Sequence, residues 1–233
     1  ASMRVYSKNP YKGNAWVTPI NLPYSLDKGL KGKHLCVWAS HGKYYNVKKA
    51  EWVFQRPYLY CTTEDLFTQS IVIPYLIPML ENAGAVVYSP RERDWQKNEV
   101  IVDNDMGDTE GTYQESNSKF EWESGPSGFC KTHDVYTDKQ NPFTEGTYRQ
   151  IEATNNKRQL STAIWVPEIK ESADYAVYVS YKTLLNSISD ATYTIVHQGV
   201  ATSYKVNQQM GGGTWVYLGT FHFDKGRTNQ NCI

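Results

Sequence analysis

Side chains with oxygen ligands gather at one point of the sequence. Asp103, Asn104, Asp105 and Asp108 stand within six residues, and carboxylate and amide oxygens are the groups that bind Ca²⁺. The spacing lacks the terminal bidentate Glu of a complete calcium loop. Asp and Asn also hydrogen-bond to their own backbone in Asx turns. We therefore favour a turn at this point, with a contribution to a calcium site as the alternative.

Aromatic side chains form a second group with binding chemistry. The chain has 18 Tyr and 7 Trp, and a flat ring with a polar edge covers the apolar face of a sugar while its edge still hydrogen-bonds. Trp165 and Trp215 are the candidate sugar contacts in the second half, and packing at the core or its rim is the alternative. His197 and Asn207 stand at predicted strand ends, where a ligand cleft or a turn would use them.

Charge and cysteine spacing exclude several classes of function. Lys plus Arg and Asp plus Glu number 24 each, so no global positive field favours nucleic acid, and we expect no nucleic-acid binding. The four cysteines lack CxxC or paired metal-ligand spacing, which excludes zinc-finger and thioredoxin-like classes and leaves disulfide pairing open. They are Cys36, Cys61, Cys130 and Cys232. No apolar run approaches the ~18 residues that span a bilayer, and no leader opens the chain, so we expect a mature protein without a membrane span.

The first hundred residues alternate between strand and helix patterns. Lys33–Ser40 and Ala85–Tyr88 predict strands, and Thr62–Ala83 predicts a helix between them. The apolar residues on one side of this helix are Leu66, Ile73, Leu76, Ile77 and Leu80. Strand, helix, strand favours a βαβ unit with parallel pairing. The sequence therefore predicts part of an α/β domain here.

Three local features refine this prediction. Thr62 followed by Asp65 fits a helix start. Pro74 and Pro78 should bend or divide the helix, because each removes a backbone donor and clashes with the preceding turn. Cys36 lies inside the apolar first strand, so we predict a buried, unpaired thiol.

The apolar pattern changes near residue 100 from a helical period to short β-rich runs between turns. These runs are Val100–Val102, Phe120–Glu123, Ala163–Val166, Tyr175–Tyr181, Ala191–His197, Thr202–Val206 and Thr214–Phe223. About seven strands without helices favour an antiparallel β-sandwich. We predict an α+β chain of two parts, a partial α/β segment at residues 1–98 and a β-sandwich at residues 99–233, joined near residues 95–103.

The first part carries a family resemblance. GLKGKHLCVWASHG and QRPYLYCTTEDLFTQSIVIPYLIPMLENAGAVVYSPRERD, which cover residues 29–42 and 55–94, resemble the opening of zinc-dependent N-acetylmuramoyl-L-alanine amidases. The closer likeness is to a divergent form in bacterial proteins labelled xanthan lyase. The resemblance implies that His41 and Glu64 bind zinc. Tyr44 and Tyr45 would then line a substrate groove beside His41, at the carboxyl end of the strand.

The second part resembles another family. VIVDNDM, AIWVPEI, YAVYVSY, TYTIVHQG and YKVNQQMGGGTWVYLGTFHF occur in this order between Val100 and Phe223. Together they resemble the golvesin carboxy-terminal or xanthan-lyase carbohydrate-binding-like domain, a β-sandwich. In related chains this sandwich interrupts the amidase-like fold, which would explain an α/β part that remains unfinished.

Together the two resemblances imply an extracytoplasmic protein, periplasmic, cell-surface or secreted, that binds polysaccharide or peptidoglycan through its sandwich beside an incomplete amidase-like part. One alternative is a zinc-dependent cell-wall amidase whose remaining site residues lie outside these 233 residues. Another is a structural, adhesin-like sandwich. A catalytic zinc needs three protein ligands and an acid/base group, so with zinc ligands at His41 and Glu64 alone we expect no amidase activity.

Overall fold

The computed structural model describes residues 12–21, 29–91, 93, 97–106, 110–130 and 140–233. The strands are β1 (Val17–Pro19), β2 (His34–Cys36), β3 (Lys43–Asn46), β4 (Glu51–Phe54), β5 (Val86–Tyr88), β6 (Gly111–Ser116), β7 (Glu123–Gly125), β8 (Tyr148–Gln150), β9 (Thr162–Pro167), β10 (Ala173–Val179), β11 (Ala191–His197), β12 (Val200–Val206) and β13 (Val216–Phe223). The helices are α1 (Glu64–Ile71) and α2 (Ile77–Asn82), joined by a π-helical turn at Val72–Leu76, and 3₁₀ turns at Pro142–Thr144 and Lys157–Gln159.

The chain divides into two compact units. The helical unit is Leu22–Glu99, and the sandwich unit combines Ala1–Asn21 with Val100–Ile233. The sequence analysis placed the first residues with the α/β segment, but β1 pairs antiparallel with β12, with Val17 opposite Val206. The predicted change of pattern near residue 100 coincides with the second of these two divisions.

The sandwich unit consists of small antiparallel sheets. One has the order β1-β12-β11, and the others are the pairs β10-β13, β6-β9 and β7-β8. The last residues of the chain connect two of these sheets, because Cys232 forms a bridge with Val196 of β11 and Ile233 exchanges backbone hydrogen bonds with Trp165 of β9. The arrangement is consistent with a β-sandwich.

The core of this unit lies between β10-β13 and β11-β12. It comprises Ile169, Val177, Val179, Ile195, Tyr204, Val206, Val216, Leu218 and Phe223. Alternate residues of β10, β11 and β12 face this core, as the two-residue period of a strand requires, whereas β13 changes phase at a register shift opposite Val177 and Tyr178. These strands are the ones that the alternating pattern predicted, within two residues at each end. By contrast, Val100–Val102 form no strand, the predicted strand Phe120–Glu123 overlaps β7 only at Glu123, and β1, β6 and β8 were not predicted.

The segment before β1 is attached to the sandwich unit through Trp16. Its indole Nε1–H donates to the hydroxyl of Tyr181 over 2.6 Å, and its backbone carbonyl accepts from the Asn207 N–H over 2.8 Å. The ring packs directly on Gly211, where a Cβ would lie 1.9 Å from the indole and where φ is +70°. Only glycine satisfies both conditions. The triple-glycine segment therefore receives the ring of Trp16.

In the helical unit, β2 and β5 pair in parallel, with His34 opposite Val86 and Cys36 opposite Tyr88. Leu35, Val37 and Ala39 face a small core with Val72, Ile77, Leu80, Ala85 and Val87. Because side chains alternate along a strand, His34, Cys36 and Trp38 face away from this core. Cys36 is exposed, so the prediction of a buried thiol is wrong, although all four cysteines are free.

The predicted helix is divided as its prolines require. α1 ends at Ile71, the π-helical turn contains Pro74, and α2 begins one residue before Pro78. Helix interiors tolerate proline poorly because it has no N–H to donate. Ile77 is buried as predicted, whereas Leu76 is exposed, because the π turn shifts the faces. No helix among these described residues is long and apolar enough to cross a membrane.

A β-hairpin precedes α1. β3 and β4 pair antiparallel, with Tyr45 opposite Trp52 and Lys43 opposite Phe54. The Asn46 side chain accepts from the N–H groups of Lys48 and Lys49 over 3.1 and 3.2 Å, which fixes the turn. The sequence analysis did not predict this hairpin.

The helix start is the first feature that mutation can test. α1 is capped by Thr63, whose Oγ1 accepts from the Leu66 N–H over 3.2 Å, so the sequence analysis placed the cap one residue early, at Thr62. Because Thr63 is fully buried and bears the cap, we expect Thr63→Ala to lower the free energy of unfolding by about 1 kcal/mol.

The matched control is Thr62→Ala, which removes an exposed hydroxyl at the neighbouring position and should change the unfolding free energy much less. Urea denaturation of both variants measures the difference. Equal losses from the two substitutions would contradict the assignment of the cap.

Candidate functional site

The sandwich unit contains an open cleft of about 340 Å³. Its lining is polar and comes from β6, β7, β8 and the loops beside them. The lining residues are Asn104, Asp105, Tyr113, Glu115, Ser124, Thr147 and Arg149.

An ion pair between neighbouring sheets forms the centre of the cleft. Arg149 of β8 donates from Nε to Glu115 Oε1 over 2.5 Å and from Nη2 to Oε2 over 2.7 Å. Glu115 belongs to β6, in a different sheet. The same guanidinium donates to the Ser124 hydroxyl and to the Trp122 carbonyl. A bidentate guanidinium–carboxylate pair has a fixed geometry, so it holds β6, β7 and β8 in one arrangement.

Tyr113 completes this network. Its hydroxyl donates to Glu115 Oε1 over 2.6 Å. Burial, followed by the bond to Glu115, raises the pKa of Tyr113 well above its ordinary value, so the phenol remains a donor. The hydrogen bond from Arg149 is the main cause that lowers the pKa of Glu115. The carboxylate is therefore charged and its oxygens accept three hydrogen bonds at neutral pH.

The acidic segment 103–105 borders the same cleft. Asp105 accepts from the backbone N–H and the hydroxyl of Thr147 over 2.5 and 2.6 Å, and Asn104 donates to the Thr147 hydroxyl over 2.8 Å. Asp103 Oδ1 accepts from the Asp105 N–H over 2.9 Å, which is an Asx turn. The turn interpretation is therefore confirmed for Asp103 to Asp105, while Asp108 lies outside the described residues.

The aromatic residues of the sandwich lie in separate places. Trp165 contacts Tyr113, its neighbour across β6 and β9, with ring centroids 5.3 Å apart, so it lies beside the cleft. Trp215 packs edge-on against Phe129 with centroids 4.5 Å apart. It also contacts Phe143. Trp165 therefore borders the cleft, and Trp215 belongs to a separate aromatic cluster.

The two polar candidates at strand ends have internal partners. His197 Nε2 lies 3.2 Å from the Thr202 hydroxyl, and its ring packs on Phe221. Burial lowers the pKa of His197, which favours the neutral imidazole. Asn207 is fully buried, donates to the Asn14 carbonyl and accepts from the Gln209 N–H. Asn207 thus holds a turn and the N-terminal segment.

The helical unit brings the two predicted zinc ligands together. His41 Nδ1 and Glu64 Oε1 are 3.3 Å apart, close to the about 3.4 Å between two ligand atoms on adjacent corners of a zinc tetrahedron. Arg56 lies against both residues, with Nη2 3.0 Å from His41 Nε2 and Nε 3.6 Å from Glu64 Oε2. The pair is thus in contact with a guanidinium cation.

A catalytic zinc needs three protein ligands and an open position. Within the described ranges, no three His, Cys, Asp or Glu side chains are grouped closely enough to hold a metal ion. His133, a further histidine, lies outside those ranges. The described residues therefore do not fit a catalytic zinc site, and zinc binding at His41 and Glu64 stays a prediction.

Tyr44 and Tyr45 are both about half exposed. As consecutive residues of β3 they point to opposite faces of the hairpin. One surface therefore cannot use both rings. Tyr45 shares its face with Trp52, and the rings contact edge-on with centroids 5.8 Å apart.

The sequence analysis did not identify the residues at the centre of the cleft. The alternation in GTYQES, which places Tyr113 and Glu115 on one face, is the signal that could have identified β6. No local signal connects Glu115 with Arg149, which stands 34 residues later. Their pairing depends on how the sheets meet.

Comparison with known families gives one finding for the sandwich unit. The model of the Golvesin C-terminal domain matches residues 131–231, less than half of the chain. No curated protein and no solved structure matches. The golvesin part of the resemblance is thus supported, and the comparisons give no evidence for the amidase part.

The raised pKa of Asp103, beside the cleft, should make the stability of the protein depend on pH. Burial is the main cause that raises this pKa from 3.8 to about 6. Because the folded-state pKa lies above the unfolded value, the stabilising contribution is complete below about pH 4 and is lost as the pH rises through 6. In Asp103→Asn, whose amide oxygen can still accept from Asp105, we expect this loss to disappear.

Urea denaturation at intervals between pH 4 and 7 measures the free energy of unfolding of the variant and of the wild type. The variant should become more stable relative to the wild type as the pH rises. Asp190→Asn is the control, because Asp190 is a half-exposed carboxylate outside the cleft. Parallel pH profiles for Asp103→Asn and the wild type would show that Asp103 is charged in the folded protein at low pH.

Proposed function

We propose that this chain is an extracytoplasmic carbohydrate-binding protein that binds glycan at the cleft of its sandwich unit. The observation that carries the proposal is the match of residues 131–231 to the Golvesin C-terminal domain, a carbohydrate-binding or cell-surface type of domain. Such domains are typically extracellular, which supports the location. Two residues that line the cleft, Thr147 and Arg149, lie within the matched residues.

The chemistry of the cleft supports a glycan rather than an apolar ligand. Hydroxyl, amide, carboxylate and guanidinium groups line it, and sugar hydroxyls need both donors and acceptors in fixed positions. The network around Arg149 fixes these groups before a ligand arrives, which lowers the entropic cost of binding. Arg149 and Glu115 remain 22% and 19% exposed, so a ligand can reach them.

Aromatic rings at the border supply the apolar half of the same chemistry. Tyr113 lines the cleft, and Trp165 packs against Tyr113. A pyranose presents an apolar C–H face and a polar edge, and the combination of a ring with hydrogen-bonding groups matches both. The polysaccharide or peptidoglycan predicted from the sequence has this chemistry.

A second candidate function, a zinc-dependent cell-wall amidase, rests on one observation. His41 Nδ1 and Glu64 Oε1 lie 3.3 Å apart although 23 positions separate the two residues in sequence. Glu64 is the first residue of α1. If zinc were bound there, these two residues would hold it, and it would supply an acidic metal-bound water. The contact with Arg56 opposes this function, because a fixed cation near the ligands disfavours a second one.

A glycan array with the full chain tests the first proposal, followed by calorimetry with the best ligand. We expect the double variant Glu115→Gln, Arg149→Gln to bind that ligand at least about tenfold more weakly, because neutral amides lose the charge-assisted hydrogen bonds and their fixed geometry.

The matched control is Asp190→Asn, Lys205→Gln, which neutralises an exposed ion pair in the same unit, with its atoms 3.5 Å apart. It should bind as the wild type does. Thermal unfolding of both double variants shows whether each is folded at the assay temperature. The proposal fails if no glycan binds, or if the folded cleft variant retains full affinity.

The amidase candidate has a separate test. Turnover of a peptidoglycan fragment with added Zn²⁺ should be at background for the wild type and for His41→Ala, because the described residues supply two ligands where three are needed. His222→Ala serves as the histidine control, since His222 pairs with Asp174 on the sandwich unit. Robust turnover that disappears only in His41→Ala would establish a complete site.

A further inference from the structure

One face of the β3–β4 hairpin carries a row of aromatic side chains. Residues opposite each other in an antiparallel pair point to the same face, and so do residues two apart. Tyr45 and Trp52 therefore share a face with Lys43 and Phe54. The ring of Tyr58 meets Phe54 edge-on, with centroids 6.0 Å apart. We call Tyr45, Trp52, Phe54 and Tyr58 the aromatic strip.

The strip is open to solvent. Trp52 is 65% exposed, Tyr58 64% and Tyr45 48%. Scattered exposed aromatics need no explanation, but four rings side by side, in two contacting pairs, form a patch of the kind that marks a binding surface. Tyr45 and Trp52 contact each other at an interplanar angle of 67°, so the two rings are not stacked face to face.

Cationic side chains accompany the strip along its length. Lys43 Nζ lies 5.0 Å above the ring of Phe54. Lys48 and Lys49 stand at the turn of the hairpin, where Lys49 approaches Glu51 to 3.9 Å. The hairpin segment 43–56 contains four cationic residues and one carboxylate. The hairpin therefore carries a net positive charge, although the formal net charge of the whole chain is zero.

The base of the hairpin adds Arg56 to the same face. Gly42 accepts from the Gln55 N–H, so the ladder extends one step, and His41 then meets Arg56. Arg56 itself meets two carboxylates, because its Nε lies 3.6 Å from Glu64 Oε2 and its backbone N–H donates to Asp65 Oδ2 over 3.0 Å. The excess of positive charge on the hairpin therefore comes from Lys43, Lys48 and Lys49.

We propose that the aromatic strip binds a carboxylated polysaccharide, such as one built from uronic acids. The rings stack on the apolar faces of successive sugars, and Lys43 and Arg56 pair with their carboxylates. From Tyr45 to His41 the strand covers about 13 Å at 3.3 Å per residue, which accommodates a short run of sugars. This site lies in the helical unit and does not depend on the cleft of the sandwich unit.

The ring types favour a glycan over a lipid surface. Three of the four strip residues are Tyr or Trp, whose polar edges hydrogen-bond while their faces stack. A helix that inserts into a lipid surface presents Leu beside Trp and Phe, whereas none of the four strip residues is aliphatic. Charge complementarity then selects an acidic glycan over a neutral one.

The test uses the full chain with polygalacturonate, alginate and hyaluronan, each beside its carboxyl-reduced form. We expect at least one carboxylated polymer to bind more tightly than its reduced form, with an affinity that falls as salt rises. Trp52→Ala and Tyr45→Ala should each weaken this binding about tenfold, and Lys43→Gln about threefold.

Matched controls lie in the same unit. Tyr75→Ala removes an equally exposed ring, 64% exposed, from the helical segment, and Lys31→Gln removes an exposed cation outside the hairpin. Both should bind as the wild type does. A loss confined to Trp52→Ala, Tyr45→Ala and Lys43→Gln, which are all variants of the helical unit, separates this proposal from the first.

Three results would overturn the inference. These are no binding to any of the carboxylated polymers, equal binding to the reduced forms, and full binding by folded Trp52→Ala and Tyr45→Ala. Flotation with phosphatidylglycerol–phosphatidylcholine vesicles adds a fourth arm. Vesicle binding that depends on Trp52, without polysaccharide binding, would assign the strip to a lipid surface and contradict the proposal.

Discussion

The pairing of Arg149 with Glu115 is the constraint on which the candidate cleft depends. Its two short hydrogen bonds join strands from different sheets, and the remaining donors of the guanidinium reach Ser124 and the Trp122 carbonyl. Since both side chains are about four-fifths covered, removing one would leave the other with an unpaired, largely desolvated charge. The pair therefore fixes the geometry that a ligand would meet.

The rest of the sandwich unit supports this pair from outside. Tyr113 and Glu115 belong to β6, which pairs with β9, and the last residues, Cys232 and Ile233, connect β9 with β11. β11 and β12 enclose the core with β10 and β13. The strand that carries Tyr113 and Glu115 is thus connected to the core strands through β9 and the backbone hydrogen bonds of Cys232 and Ile233.

Sequence reasoning identified what local patterns encode. The strands β9 to β13 alternate clearly between turns, and Pro74 and Pro78 marked the division of the helix. The same reasoning gave Cys36 the wrong environment, because a short apolar run does not reveal that only one face of β2 is covered.

Contacts between residues far apart in the chain could not be predicted from local sequence patterns. β1 joins a sheet whose other strands begin more than 170 residues later, and Glu115 meets Arg149 only after two sheets have come together. The resemblance to amidases predicted that His41 and Glu64 lie at one site, and in the structure the two side chains are 3.3 Å apart. The structure also places Arg56 against Glu64. No spacing rule predicts the contact of Arg56 with these two residues.

The proposed glycan site is the cleft around Arg149. NMR of the ¹⁵N-labelled full chain, titrated with the tightest ligand from the array, measures whether the ligand binds there. We expect the Arg149 Nε–H resonance and the Ser124 and Thr147 amides to shift together in a saturable way, while the amides of Val177 and Ile195 in the core stay fixed. Saturable shifts elsewhere in the sandwich unit, with Arg149 unchanged, would contradict it.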